Sequence, residues 1–211
     1  MSRVTGHGRS LVLAVASRVL QYPDGELAAS LPALAGAVAA LPAPVRGQLG
    51  GVVAHLGSRP LIELQAAYVA TFDLRRRNAL YLTYHLNGDT RRRGLAIWRF
   101  GELYRSRGYE LTAGELADYL PAVLELAARC DAADTGVVDA IAGHLPSVIA
   151  LRRSLEEDGS PYAGAVRGLE LALPEPSASE LDAVDRLVAE GPPVESVGLD
   201  PYALPGTEAP P

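Results

Sequence analysis

The sequence predicts an all-α protein, a single-domain helical bundle of about eight to ten helices. Apolar residues recur at the helical period of 3.6 along most of the chain. Alanine and leucine dominate, and β-branched residues are few outside short patches, which favours helix. No segment alternates as a strand does, and no internal repeat is present. The 211 residues are enough for one domain with a substantial core.

Helix breakers and caps divide this pattern into elements. Pro23 ends the first helix, and Asp24 can cap the second. Pro60 suits the first turn of the fourth helix, and Gly108 ends the fifth. The predicted helices are Ser10–Leu20, Gly25–Ala40, Val45–Leu56, Pro60–Leu74, Thr90–Arg107, Gly114–Ala128, Val137–Leu155, Pro161–Leu173 and Glu180–Glu190. For the sixth, Pro121 offers an alternative start.

The chain divides into a helical domain over residues 1–175, a C-terminal helix over 176–190 and a tail over 191–211. The tail is rich in proline, glycine and acid, which predicts disorder. The single cysteine, Cys130, excludes an internal disulfide and a Cys-based metal site. With no signal peptide and no apolar run near the ~20 residues that span a bilayer, we expect a cytoplasmic protein without direct membrane insertion.

Charge is distributed unevenly along the chain. Residues 75–107 hold nine arginines and two acids, net +7, whereas residues 108–211 are net −14 and the whole chain is −6. This pattern predicts either two solvated surfaces or an internal pairing of the basic segment with the acidic half. Nucleic-acid binding is not expected, because the basic segment is short and lies in an acidic chain.

The segment Leu80–Phe100 carries the strongest local signal. An Asn-Gly pair predicts a tight turn, and Asp89 or Thr90 can cap the next helix. Arg91, Arg92 and Arg93 then fall in its first turn, where the helix dipole disfavours positive charge. We interpret this conflict as the sign of a partner, either an acidic helix or a ligand.

Motifs of catalysis are missing from the sequence. The four histidines are scattered, and there is no phosphate-binding loop or nucleophile signature. Asp89 beside the arginines is interpreted as a cap paired with arginine, rather than as a general acid or base. We therefore do not expect an enzyme.

Clustered aromatic residues indicate binding of another polypeptide. Tyrosine and tryptophan combine a large contact area with a polar tip. Phe72 and Tyr104 lie on apolar stripes and fit a core, and His85 fits a structural histidine. Trp98 lies off the apolar face of its helix, so it packs on another element, on arginine stems or on a partner.

Three blocks of the sequence resemble a known family. They are Tyr68–Asp73 (YVATFD), Leu80–Arg93 (LYLTYHLNGDTRRR) and Glu115–Pro121 (ELADYLP), with a weaker early match at Leu20–Asp24. Together they resemble the NarJ-type nitrate reductase assembly chaperones, within the TorD/DmsD-like superfamily of redox enzyme maturation chaperones. The Tyr-Leu-Thr-Tyr run followed by Asn-Gly-Asp-Thr favours the nitrate reductase branch.

The resemblance implies a chaperone that binds the apo catalytic (alpha) subunit of respiratory nitrate reductase through its N-terminal segment. Such a chaperone supports molybdenum cofactor insertion before the subunit docks on the membrane. It binds no cofactor stably, has at most transient contact with the client's molybdenum cofactor, and is a monomer or weak dimer. The rivals are a maturation chaperone for another molybdoenzyme and a small nucleotide-binding enzyme.

A groove that binds a short basic amphipathic helix is the expected mechanism. The predicted peptide-binding residues are Tyr68, Phe72, Asp73, Tyr81, Leu82, Tyr84, His85, Glu115 and Asp118. Asp118 would pair either with the arginine triplet or with the basic peptide. Asp89, Arg91, Arg92 and Arg93 are assigned a structural or phosphate-contacting role, of which the structural one is favoured.

Overall fold

Helices account for most of the chain in the computed structural model, which describes residues 6–111 and 114–193. They are α1 (His7–Val19), α2 (Gly25–Ala39), α3 (Ala43–Gly57), α4 (Leu61–Tyr68), α5 (Tyr84–Asn87), α6 (Arg91–Arg105), α7 (Leu120–Arg129), α8 (Gly136–Ala142), α9 (Leu145–Glu157), α10 (Ala163–Ala172) and α11 (Ala178–Glu190). A π-helical turn, Val69–Asp73, extends α4, and a 3-10 turn, Arg76–Asn78, follows. The all-α prediction is confirmed, because the described ranges contain no strand beyond one isolated β-bridge.

Helices α1, α7, α9 and α10 form the centre of the bundle. Helix α1 packs against α7 and α10, and α10 also packs against α3 and α9. Helix α9 is buried along most of its length, from Leu145 to Leu155. On α1, the Ser17 hydroxyl donates to the Pro121 carbonyl at 2.8 Å, so this buried polar group is satisfied at the α1–α7 contact.

Two glycines let α10 lie close to α3. A Cβ atom at Gly164 would lie 2.7 Å from the carbonyl oxygen of Gln48, and one at Gly168 would lie 2.9 Å from Leu49 Cγ. Residues four apart share one face of a helix, so both glycines face α3. The side chains that would separate the two backbones are therefore missing where the helices meet.

Three long helices lie at the rim of the bundle. Helix α2 buries Leu27 and Val38, α6 buries Phe100 and Tyr104, and α11 buries Val184. Each central helix buries more of its side chains than any of these three. The rim helices therefore depend on a small apolar contact for their attachment.

Two predicted helix boundaries are wrong. The predicted helix Gly114–Ala128 begins at Leu120, with Pro121 in its first turn, which confirms the alternative start. The predicted helix Val137–Leu155 is two helices, α8 and α9. The break falls before Pro146, because a proline inside a continuous helix has no N–H to donate and would clash with the preceding turn.

The predicted last helix is confirmed as α11, with Ser177 as its cap in a capping box with Glu180. Of the tail predicted to be disordered, Gly191–Pro193 is described. Residues 194–211 lie outside the described residues.

A buried asparagine ties the connection between α4 and α5 to α9. Asn78 is fully buried, and its amide nitrogen donates to the Thr71 carbonyl at 2.9 Å and to Asp158 Oδ2 at 2.8 Å. Its amide oxygen accepts from the Ser154 hydroxyl at 2.6 Å. Every heavy polar atom of this side chain thus has a partner, and the connection is fixed at one point.

Arginines of the basic segment neutralise the negative charge of Asp158 at the carboxyl end of α9. Arg75 lies 2.5 Å from Asp158 Oδ1, and Arg77 contacts the same oxygen. The hydrogen bond from Asn78, with those of the two guanidinium groups, holds the pKa of Asp158 below its usual range. The predicted pairing between the basic segment and the acidic half is therefore present here, and again between Arg107 and Asp134.

Candidate functional site

Two of the family-like blocks are joined through their backbones. The Leu82 N–H donates to the Asp118 carbonyl at 3.0 Å, and the Leu120 N–H donates to the Leu80 carbonyl at 2.7 Å. Between these bonds lies the antiparallel β-bridge of Tyr81 with Tyr119. Residues far apart in sequence are thereby brought to one surface.

Asp118 bonds to Thr83, the residue before α5, and not to an arginine. Its side chain is fully buried, and Oδ2 accepts from the Thr83 hydroxyl at 2.5 Å and from the Thr83 N–H at 3.2 Å. Oδ1 has no hydrogen-bond partner within the described ranges. With the carboxylate bonded to Thr83, the described residues do not show the predicted pairing of Asp118 with the arginine triplet.

Tyr68 is the centre of an aromatic cluster beneath this surface. Its ring lies 4.7 Å from that of Phe72, 5.9 Å from Tyr162 and 5.4 Å from Tyr22. Its hydroxyl donates to the Leu20 carbonyl, just after α1, at 3.0 Å and lies 3.3 Å from the Tyr119 hydroxyl. Burial is the main reason that the pKa of Tyr68 lies far above its ordinary value. These contacts make Tyr68 a structural support of the site.

Tyr81 is the accessible ring above this cluster. It is half-buried, 5.8 Å from the Tyr119 ring, and the Arg93 guanidinium lies 5.5 Å from its centre. Burial is the main reason that the pKa of Tyr81 is raised, and the negative charges of Glu115, Asp118 and Asp73 raise it further. We call the surface formed by Tyr22, Asp73, Tyr81, Glu115 and Tyr119 the acidic aromatic face.

The structure divides the predicted peptide-binding residues into two groups. Those that are buried are Tyr68, Phe72, Leu82, Tyr84, His85 and Asp118. Those that are accessible are Asp73, Tyr81 and Glu115. The buried rings do not line an open groove in this conformation, and they act on the surface by supporting it.

Sequence reasoning did not assign Tyr22 and Tyr119 to the site. Tyr22 is 46 % exposed and packs edge-on against Tyr68. Both belong to family-like blocks, Tyr22 to the early one and Tyr119 to the last one. Their position in these blocks was the sequence signal that could have assigned them to the site.

The arginine triplet consists of one half-buried residue, Arg93, and two exposed ones. Arg93 lies 3.3 Å from Asp89, and Asp89 also accepts from Arg76 at 3.0 Å. The cap of α6 is Thr90, whose side chain donates to the preceding turn and makes no cap bond, so the predicted side-chain cap is wrong. Arg91 and Arg92 are exposed. The contacts of Arg93 support the structural role of this position.

Trp98 is 56 % exposed on α6. More than half of its surface is therefore uncovered by the described residues, and the choice among the three predicted environments stays open. Its neighbour on the same helix, Leu95, is also exposed. Helix α6 thus presents apolar surface to solvent.

His85 is buried, and its Nε2 donates to the Ala79 carbonyl at 3.1 Å. Its ring packs edge-on against Tyr84 with centroids 5.7 Å apart. Burial lowers the pKa of His85 below the ordinary 6.5, in spite of this hydrogen bond. The geometry fits the structural role predicted from the sequence.

We expect the free energy of unfolding to fall as the pH drops below about 6.5. The unfolded chain binds a proton at His85 there, whereas the buried ring resists it, so acid favours the unfolded state. His85→Gln, which keeps an amide donor for Ala79, should reduce this slope in urea titrations. Burial also lowers the pKa of His144, so part of the slope should remain in this variant. A slope equal to that of the parent would contradict the assignment.

Comparison with known proteins places the chain in a family. The family model described as nitrate reductase delta subunit matches residues 38–167, which include the three family-like blocks of the site. The chain belongs to the nitrate reductase delta subunit family. The match runs from the end of α2 into α10, so α11 lies beyond it.

Relatives in this delta subunit family share about a third of their residues with the chain. NarJ of Escherichia coli K12, named a nitrate reductase molybdenum cofactor assembly chaperone, is 31% identical over 154 residues, 72% of this chain and 64% of that protein. A Bacillus subtilis protein named "Probable nitrate reductase molybdenum cofactor assembly chaperone NarJ" is 31% identical over 78% of this chain and 89% of its own. The predicted resemblance to NarJ-type chaperones is confirmed.

The "Nitrate reductase-like protein NarX" of Mycobacterium tuberculosis is 35% identical over 162 residues, 77% of this chain. The chain spans about a quarter of that protein, 24% of its length. The relatives with NarJ names are named as assembly chaperones, in line with the family resemblance of the sequence.

Within residues 6–111 and 114–193 no helix is long and apolar enough to cross a membrane. The same residues hold no group of three or more His, Cys, Asp or Glu side chains arranged for a metal ion.

Proposed function

We propose that the chain is a cytoplasmic chaperone for the assembly of respiratory nitrate reductase. It binds the apo catalytic (alpha) subunit through its N-terminal segment and supports insertion of the molybdenum cofactor before membrane docking. The observation that carries the proposal is the acidic aromatic face, of which Asp73, Tyr81, Glu115 and Tyr119 lie within the range that the family model matches.

The acidic aromatic face suits a basic amphipathic helix. Tyr81 and Tyr119 offer ring surface to the apolar side of such a helix, and Asp73 and Glu115 offer carboxylates to its positive charges. Arg93 over the Tyr81 ring holds that ring in place by a cation–π contact. The peptide loses conformational entropy when it becomes helical, which keeps its affinity moderate and permits release.

The chain binds no cofactor stably in this proposal, and its contact with the client's molybdenum cofactor is transient. Arg92, exposed on the first turn of α6, is available to a phosphate group. Arg93 is engaged by Asp89 and by the tyrosine rings. The chaperone acts as a monomer or weak dimer.

We expect a synthetic peptide of the catalytic subunit's N-terminus to bind this chain in calorimetric titrations. Tyr81→Ala should weaken binding about tenfold or more, because an anchoring ring is lost. Glu115→Arg should also weaken binding, because a carboxylate that attracts the basic peptide is replaced by a positive charge that repels it. This loss should be larger at low salt than at high salt, since salt screens the repulsion. Both variants should keep the parent's far-UV circular dichroism.

The matched controls carry the same changes away from the face. Tyr109→Ala removes a tyrosine that is 37 % exposed, and Glu175→Arg reverses an exposed acid. Both should bind the peptide as the parent does. The proposed site is wrong if the controls lose as much affinity as Tyr81→Ala, and the proposed client is wrong if the parent does not bind.

A further inference from the structure

An apolar groove of about 550 Å³ lies between α6 and the junction of α8 with α9. On α6, Arg92, Leu95, Arg99 and Leu103 line it at a spacing of three to four residues, so they share one helix face. Phe100 forms its floor. The groove is therefore an apolar channel with an arginine at each of two levels, about 10 Å apart along the helix.

The opposite wall of the groove is low. It is formed by Ala140, Gly143 and His144, two of which are small. A polypeptide backbone can therefore approach closely from that side. The charge of the groove is opposite to that of the acidic aromatic face, so a basic client peptide is repelled from it.

The described chain ends beside this groove. After α11 it reaches Pro193, whose backbone packs directly on Gly88, since a Cβ atom at Gly88 would lie 1.6 Å from the Pro193 oxygen. Gly88 follows Leu86 and Asn87, which line the groove. Residue 194 thus continues from the rim of the groove.

The remaining sequence is complementary to the groove in charge and in apolar content. Residues 194–211 contain three acids and no basic residue. They also contain Val194, Val197, Leu199, Tyr202 and Leu204. Pro201 and Pro205 favour an extended backbone that loses little entropy on binding. Fully extended, this segment reaches about 60 Å, whereas the groove wall from Arg92 to Leu103 is only about 17 Å long.

We propose that residues 194–211 of this chain bind the α6 groove of the same molecule, with their acids on Arg92 and Arg99 and their apolar side chains over Leu95 and Phe100. Because the segment is tethered at Pro193, its effective concentration at the groove is in the millimolar range, so weak contacts are enough. The segment then covers apolar surface of α6 and excludes other acidic polypeptides from it.

A photo-crosslinking experiment on the full chain tests this binding. The photoreactive residue p-benzoylphenylalanine replaces Leu204, and the products are mapped by mass spectrometry after irradiation. We expect a crosslink within one molecule to the α6 or α8–α9 residues of the groove. Arg92→Glu combined with Arg99→Glu should lower its yield about tenfold, since two attractions become repulsions.

Arg105→Glu is the matched control, because Arg105 is on the same helix but outside the groove and pairs with Glu102. It should leave the yield unchanged. Crosslinks between two molecules would indicate that the groove binds a second copy of the chain. Crosslinks to other surfaces would indicate that the segment does not bind the groove, which would then be open to a partner protein. Either result would overturn the proposal, as would an equal loss in the control.

Trp98, the single tryptophan of the chain, gives a second readout that needs no crosslinker. It lies on α6 at the edge of the groove face, three residues from Leu95. Removal of residues 194–211 should shift its fluorescence emission to the red, and the double arginine variant should show the same shift. Unchanged emission in both would contradict binding of the segment beside Trp98.

Discussion

Asn78→Ala is expected to lower the free energy of unfolding by about 3 kcal/mol, measured by urea denaturation. The substitution removes three hydrogen bonds of a fully buried side chain. It leaves the Thr71 carbonyl, one Asp158 oxygen and the Ser154 hydroxyl without this partner. Water cannot replace the amide readily at a position with no exposed surface, so the desolvation cost is retained.

Ser154→Ala is the matched control for Asn78→Ala, because it removes only one of the three bonds. Its expected loss is about 1 kcal/mol. A loss below about 1 kcal/mol for Asn78→Ala itself would show that the connection between α4 and α5 is not fixed by this side chain.

Gly164→Val should destabilise the bundle by about 3 kcal/mol in the same measurement. The new Cβ atom would lie 2.7 Å from the carbonyl oxygen of Gln48, which belongs to a helical backbone and cannot rotate away. Helices α3 and α10 must therefore move apart, and the contacts of both with α1 are disturbed. Gly168→Ala should cost less, because the new Cβ atom meets the Leu49 side chain rather than a backbone carbonyl.

Gly47→Ala on α3 is the control for Gly164→Val. A Cβ atom there meets nothing within 4 Å. Alanine also restricts the unfolded chain, so we expect a gain of about 0.5 kcal/mol. A gain, or no change, at Gly164 as well would contradict the close approach of the two helices.

Helix content was predictable because apolar periodicity and proline signals are local. The division of Val137–Leu155 was missed, although Pro146 is the residue type that begins a helix. The apolar spacing runs through the break, since Ile141 and Leu145 both face the core, and it hides the change of direction. Packing of α8 and α9 on different neighbours decides that direction, and the sequence does not show it.

The sequence indicated which blocks belong together, but not how deeply their side chains are buried. The aromatic pattern singled out blocks that the fold brings to one surface. It could not distinguish Tyr81, which is half-buried, from Tyr84 three residues later, which is buried. That difference depends on the pairing of Tyr81 with Tyr119 and on Arg93 above both Tyr81 and Tyr84, which are contacts between elements.

The attachment of α2, α6 and α11 by at most two buried side chains each has a consequence for how the molecule moves. Segments with little buried surface open by local unfolding at a cost well below that of the whole domain, and their amide hydrogens exchange with solvent first. We expect the central helices α1, α7, α9 and α10 to stay folded during such openings, because each buries more side chains. The periphery of the bundle can then change its conformation while the centre keeps its packing.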